Sequence, residues 1–164
     1  MAKKATSIIK PDSFQYAHRF MDWAREAKHL HGHSGFVTIE VEDVIDPETG
    51  YAFPIKDARK IAWDEALDNF HHATILQEGD PLLEAILGVY KEHGVKQNPD
   101  NSVALKKLDH PLVWSYPEYR IVVTKKPSTC ENLCEIFYEL LKDKMPIKKI
   151  EMRSSPINAA SMSF

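Results

Sequence analysis

The stretch Leu30-His31-Gly32-His33-Ser34-Gly35-Phe36-Val37-Thr38-Ile39-Glu40-Val41-Glu42 decides how this chain reads. From Phe36 to Glu42 apolar and polar residues alternate, which predicts a strand with one wet face. His31 and His33 stand two apart on the brink of that strand, so their imidazoles share a face. Gly32 between them removes a side chain and lets the backbone pass close to an ion. Upstream, Phe14-Gln15-Tyr16-Ala17-His18 is a second short extended piece, and it ends in a third histidine. Three neutral imidazoles hold one zinc ion and leave its fourth position open, as a catalytic zinc requires. Zn2+ is the expected cofactor, although affinity alone does not select it over iron or nickel. His29 shares the parity of His31 and His33 and is a candidate fourth ligand.

The pattern around this core predicts alternating segments. Ser7 to Lys10 begins an edge strand that Pro11 interrupts. Met21 to His29 is a loop of helical composition. Asp46-Pro47-Glu48-Thr49-Gly50 is a turn. Ile55, Ala58, Ile61, Ala62, Ala66 and Phe70 recur at helical spacing, with Pro54 to open the helix and His71-His72 at its end. Leu82 to Tyr90 predicts another helix, ending near His93-Gly94, and 97–101 a loop. Tyr119 to Thr124 predicts a strand. A helix from Cys130 to Lys142 carries Leu133, Ile136, Phe137, Leu140 and Leu141 as one stripe, with Thr129 as its cap and Glu131 in its first turn. Ile147 to Met152 is a further strand, and a last edge strand runs toward Phe164. Strands, then helices, then strands predict an α+β domain with helices on one face of an antiparallel sheet.

Composition narrows the class. At 164 residues the chain suits a single domain, residues 1–164. Hydrophobic residues make up 43% and charged residues 27%, and the formal charge is -3. This balance argues against a broad cationic surface for nucleic acid. Lys3-Lys4 and Lys125-Lys126 read as solvated surface pairs. Cys130 and Cys134 sit four apart and read as small buried residues of one helix face, which suits a reducing cytoplasm. No run approaches the roughly 20 apolar residues of a membrane helix, and the first residues lack the apolar centre of a signal peptide.

Several of these pieces, taken in order, resemble a known family. They are Phe14-Gln15-Tyr16-Ala17-His18, Leu30-His31-Gly32-His33-Ser34, Phe70-His71-His72, Pro127-Ser128-Thr129-Cys130-Glu131-Asn132-Leu133 and the segment from Ile150 to Pro156. The chain is similar to the 6-pyruvoyl-tetrahydropterin synthases and 6-carboxytetrahydropterin synthases, with an insertion around 77–118 that the resemblance does not cover. The resemblance implies the tunnelling fold (T-fold), zinc on His18, His31 and His33, and trimers whose sheets close into a barrel, often stacked as hexamers. It implies an active site between subunits that captures a pterin or related small heterocycle.

The departures from the family pattern define the open questions. The family's catalytic cysteine falls at Ala27, which cannot shuttle a proton. Glu26 beside it is the candidate replacement, as in members that resemble dihydroneopterin aldolases. His72 keeps the family's acid–base position, because its pKa can lie near working pH. His71 replaces the orienting aspartate. Asp109-His110 in the insertion matches that lost pair in letters and is a second candidate. The ring-gripping glutamate and the threonine after it become Ser154 and Ser155. Serine cannot make a charge-assisted bidentate contact. Thr129 and Glu131 complete the candidate substrate-binding set.

Overall fold

The computed structural model describes residues 2–23, 25–94 and 106–164. The loop expected at 97–101 lies outside the described residues. The strands are β1 (Lys4–Ile9), β2 (Phe14–His18), β3 (His31–Val44), β4 (Ala73–Gln77), β5 (Asp109–His110), β6 (Val113–Tyr116), β7 (Ile121–Thr124), β8 (Ile147–Arg153) and β9 (Ala159–Ser163). The helices are α1 (Ile55–Ala62), α2 (Asp68–Phe70), α3 (Pro81–His93) and α4 (Cys130–Leu141). A π turn, Trp63–Leu67, carries α1 into α2. The chain forms two compact units: residues 1–14, 34–68 and 129–164, and residues 15–33 and 69–128.

In the first unit β1, β3, β8 and β9 pair antiparallel in that order. The alternation seen in the sequence is the cause. Val37, Ile39 and Val41 point inward and are buried, as are Ile150 and Met152 opposite them. On the outward phase, Glu40 pairs with Lys149 and Glu42 with Lys148. Helix α4 packs against β8 and β9. Leu133, Phe137 and Leu141 are fully buried, each stabilising by about 1.5–3 kcal/mol. Thr129 caps α4 as expected, its hydroxyl oxygen accepting from Asn132 N–H at 3.3 Å. Phe14 meets Phe137 edge to face with centroids 5.8 Å apart. Gly35 is required beneath that ring, because a Cβ there would come within 2.6 Å of two Phe14 ring carbons.

In the second unit the order is β5-β6-β7-β4-β2, with the first residues of β3 beside β2. Here β4 runs parallel to both β2 and β7, so the sheet is mixed and the expected wholly antiparallel pairing is corrected. The physical cause is α3, which carries the chain back between β4 and β7 and so aligns their directions. Asp80 caps α3, accepting from Leu82 N–H at 2.8 Å. Leu83 and Leu87 of α3 pack on Leu76, Ile121 and Val123 of β4 and β7. Strand β4 escaped sequence reading because Ala73, Ile75 and Leu76 are all buried, which erases alternation over a five-residue run. The expected strand Tyr119–Thr124 starts later, at Ile121. Pro117–Tyr119 forms a 3-10 turn and Arg120 takes the left-handed conformation at φ 49°.

Candidate functional site

The site grows from the short strand β2 and the first residues of β3, both in the second unit. Strand β2 buries Phe14, Tyr16 and His18 on one phase. Strand β3 presents His31 and His33 on the phase that it later fills with Gly35, Val37 and Ile39. A pattern that elsewhere builds core is completed here by imidazoles. The three rings form a near-equilateral triangle, with centroids 4.7 Å (His18–His31), 5.0 Å (His18–His33) and 4.9 Å (His31–His33) apart. One ligand nitrogen from each lies within 4.8 Å of the others. A tetrahedral zinc with its usual bonds holds nitrogens about 3.4 Å apart, so a small contraction closes the site.

A main-chain hydrogen bond sets which nitrogen His31 can offer to an ion. The Nδ1 of His31 lies 2.7 Å from the His29 carbonyl oxygen, to which it donates. Its Nε2 is thereby left with a lone pair. The Nδ1 of His18 lies 2.9 Å from the Ser128 hydroxyl. Burial pushes the His18 imidazole down from 6.5 to about 3, and the neighbouring His31 and His33 push it the same way. A hydrogen bond with the Ser128 backbone opposes both. His18 is therefore neutral throughout the physiological range, as metal ligation requires. Donor chemistry, spacing and the His31 tautomer fit a cation such as zinc.

Aromatic side chains surround the cluster. Tyr16 lies 5.1 Å from His18 and 5.6 Å from His33, and Phe20 lies 4.8 Å from His18. Next to His18, Arg19 makes a bidentate pair with Asp80, at 2.9 Å through Nε. Burial alone would raise the Asp80 carboxyl, but the Arg19 and Leu82 hydrogen bonds win and hold it below its ordinary value. Arg19 thus ties the end of β2 to the cap of α3. Gly32 has less to do than expected. A Cβ there would meet only the Tyr16 carbonyl oxygen at 3.5 Å, an ordinary contact.

The other predicted residues fall elsewhere. Among the described residues the metal-capable cluster contains His18, His31 and His33 alone, so His29 is not a fourth ligand. It serves through its carbonyl. Glu26 is exposed in the 3-10 turn Arg25–Lys28, within the loop that joins His18 to His31. That turn is tied back by Phe20 N–H donating to the Ala27 carbonyl at 2.9 Å. His71 and His72 meet edge to face, with centroids 4.1 Å apart, in the turn before β4. His72, at φ 56°, is strained and left-handed, as are Arg25 and Arg120. Backbone bonds hold the pair: His72 N–H donates to the Gln15 carbonyl at 2.6 Å, and Gln15 N–H donates to His71 Nδ1 at 3.3 Å. Arg120 Nη1 adds a 2.6 Å bond to the His71 carbonyl. The parallel register pairs His18 with Ile75, which leaves His72 three residues short of His18, about 10 Å along the strand. The pair and the triad are thus not brought together along these strands.

Asp109-His110 is strand β5, four strands away from β2 and about 19 Å across the sheet. It does not stand in for the missing carboxylate beside this chain's His72. In the first unit, Thr129 is committed as a helix cap, and Glu131 is exposed in the first turn of α4. Ser154 N–H donates to the Asn158 carbonyl at 3.1 Å, and the Ser155 hydroxyl accepts from Ile157 and Asn158 N–H groups. Both cysteines are free thiols. Burial pushes Cys134 up to about 12, which makes it an inert core residue.

Ser128 is the site residue that sequence reading missed. It appears in the sequence only as part of a helix start, and no local signal tells that its hydroxyl meets a histidine 110 positions away.

The sequence profile of 6-pyruvoyl tetrahydropterin synthase matches residues 7–163. The chain is similar in structure to a Wolinella succinogenes protein, with 20% identity, TM-score 0.66, and 99% of this chain and 98% of that one covered. It is similar to Caenorhabditis elegans 6-pyruvoyl tetrahydropterin synthase at 17% identity and TM-score 0.60, with 99% and 97% covered. A Plasmodium vivax 6-pyruvoyltetrahydropterin synthase, solved as a catalytic-residue mutant with glutamate exchanged for cysteine, gives 17% identity and TM-score 0.56, with 98% and 97% covered. At these identities the structural likeness is one of fold. Among curated proteins no sequence matches the chain. No helix among the described residues is long and apolar enough to cross a membrane.

Proposed function

Because the chain belongs to the 6-pyruvoyl tetrahydropterin synthase family, we propose that it is a zinc-dependent lyase acting on a pterin or a related purine-derived heterocycle. The observation that carries this reading is the triangle of His18, His31 and His33, with ligand atoms within 4.8 Å of one another. A zinc ion held there supplies a Lewis acid that polarises the oxygens of a substrate side chain. The chain's own residues do the rest. Phe20 and Tyr16 screen the ligands from water. His72 moves a proton to or from the carbon next to the polarised oxygen, and His71 orients it. Thr129, Glu131, Ser154 and Ser155 meet the polar edge of the heterocycle.

The roughly 10 Å between His72 and His18 along their strands supports a site shared between copies, in which His72 serves the metal of a neighbouring subunit. The unpaired edges of β1 and β9 in the first unit support the same homo-oligomer, a trimer or hexamer in which strand pairing between copies removes those edges.

A specific observation favours a second reading. Position 27 is alanine, and the Plasmodium vivax relative has a glutamate as a catalytic residue. In this reading Glu26 takes the proton-transfer role and the reaction is retro-aldol cleavage of a dihydroneopterin-like side chain.

The test is zinc content by elemental analysis together with turnover of dihydropterins that carry triphosphate or trihydroxypropyl side chains. About one zinc per chain and His72-dependent product support the first reading. Cleavage of the trihydroxypropyl group that is lost in Glu26→Gln selects the second. Bound zinc without turnover of any dihydropterin overturns both and leaves a non-catalytic binding oligomer.

A further inference from the structure

Of the three ligands, His18 is the most deeply placed, at 4% exposed. An imidazole that offers Nε2 to a cation carries its proton on Nδ1, and a buried N–H needs an acceptor. His31 finds one in the main chain, the His29 carbonyl, which no side-chain change removes. His18 meets Ser128 through its side chain, and the Ser128 backbone also hydrogen-bonds the ring. The Ser128 hydroxyl lies 2.9 Å from its Nδ1, and Ser128 is itself 3% exposed. Phe20, which packs against the same ring, offers no acceptor. Ser128 is also well placed to hold a fixed position, because Pro127 restrains the backbone before it and the cap of α4 follows it.

We propose that Ser128 is a positioning residue of the metal site: its hydroxyl oxygen accepts the His18 Nδ1–H and so locks the tautomer whose Nε2 lone pair faces His31 and His33. This inference rests on the metal reading for its consequence, but not for its geometry, since the tautomer exists with or without the ion. The hydroxyl hydrogen remains free to rotate toward a further acceptor. Loss of an outer hydrogen bond of this kind weakens metal binding without removing a ligand.

The experiment combines zinc affinity, measured by competition with a chromogenic chelator, and nitrogen-15 NMR of the histidine rings in the zinc-free protein. Ser128→Ala is expected to bind zinc about 10–100-fold more weakly, and Ser128→Thr, which keeps the hydroxyl, to return most of that loss. The His18 ring is expected to be Nδ1-protonated in the wild type and a tautomer mixture in Ser128→Ala. A Ser128→Ala protein with an unchanged His18 tautomer overturns the proposal, whatever its zinc affinity. So does a Ser128→Thr protein as weak as Ser128→Ala whose tautomer stays mixed, since the hydroxyl is then not the operative group. A wild type that takes up no zinc, yet shows the Ser128-dependent tautomer, supports the positioning role and instead overturns the metal reading.

Discussion

Two groups of histidines in the second unit set one side chain in opposite surroundings. His18, His31 and His33 stand on regular strands, with their spacing set by the pleat and His18 sealed beneath aromatic rings. His71 and His72 stand in a turn. There His72 is exposed and left-handed, and the backbone is held by Gln15 and Arg120. The first arrangement buries His18 and suppresses its protonation, which suits a ligand. The second leaves an imidazole in solvent with an ordinary route for protons, which suits an acid–base group. The difference teaches that burial and backbone regularity, more than residue type, assign chemistry to a histidine.

The largest expected effect separates the two groups outright. His31→Ala or His33→Ala should lower zinc affinity by more than about 100-fold, beyond the loss of any outer contact, and turnover should vanish with the metal. His72→Ala should keep a full complement of zinc while turnover falls by about 100-fold to 10,000-fold. Elemental analysis and initial rates on the same preparations read both outcomes. Metal content unchanged in both strand variants, or lost in His72→Ala, would erase the distinction.

A smaller effect sharpens it through pH. An unfolded histidine titrates near 6.5, whereas folded His18 is held down to about 3. In the zinc-free protein this difference contributes stability that is complete above pH 6.5 and is lost as the pH falls toward 3, since the unfolded chain takes up the proton first. Urea midpoints of zinc-free wild type should therefore fall between neutral and mildly acid pH, and fall less in His18→Gln. Parallel pH profiles for the two proteins would show that His18 is not buried neutral.

The smallest effect compares two glycines on the strand that carries His31 and His33. Gly35→Ala forces a Cβ into the Phe14 ring and should cost about 1–3 kcal/mol. Gly32→Ala meets only ordinary contact and should change stability by no more than about 0.5 kcal/mol, with zinc affinity kept. Thermal or urea denaturation checks the first, and the chelator competition checks the second. A marked loss of zinc in Gly32→Ala would return to that residue the close approach to the ion expected from the sequence.

The strands β2, β3 and β8 and the helix α4 were legible because each buries one face and exposes the other, so that period and burial coincide. The triad was legible for the same reason: parity along β3 aligns His31 with His33, and β2 ends on His18. Strand β4 was not, because it is covered on both faces. The direction of β4 and β7 was not, because it depends on where α3 returns the chain. Asp109-His110 shows the limit of letters alone. It reproduces a motif, yet its strand pairing sets it four strands from the histidines.

The sequence by itself determined the candidate ligands, the family and the periodic elements, since these rest on residue identity and spacing over a few positions. The tertiary structure decided that the Nδ1 of His31 bonds the main chain, that His72 lies a strand's length from His18, and that Ser128 meets His18 across 110 residues. Such facts depend on register and on hydrogen-bond partners brought together by packing, and no local pattern encodes a partner that only the folded chain supplies.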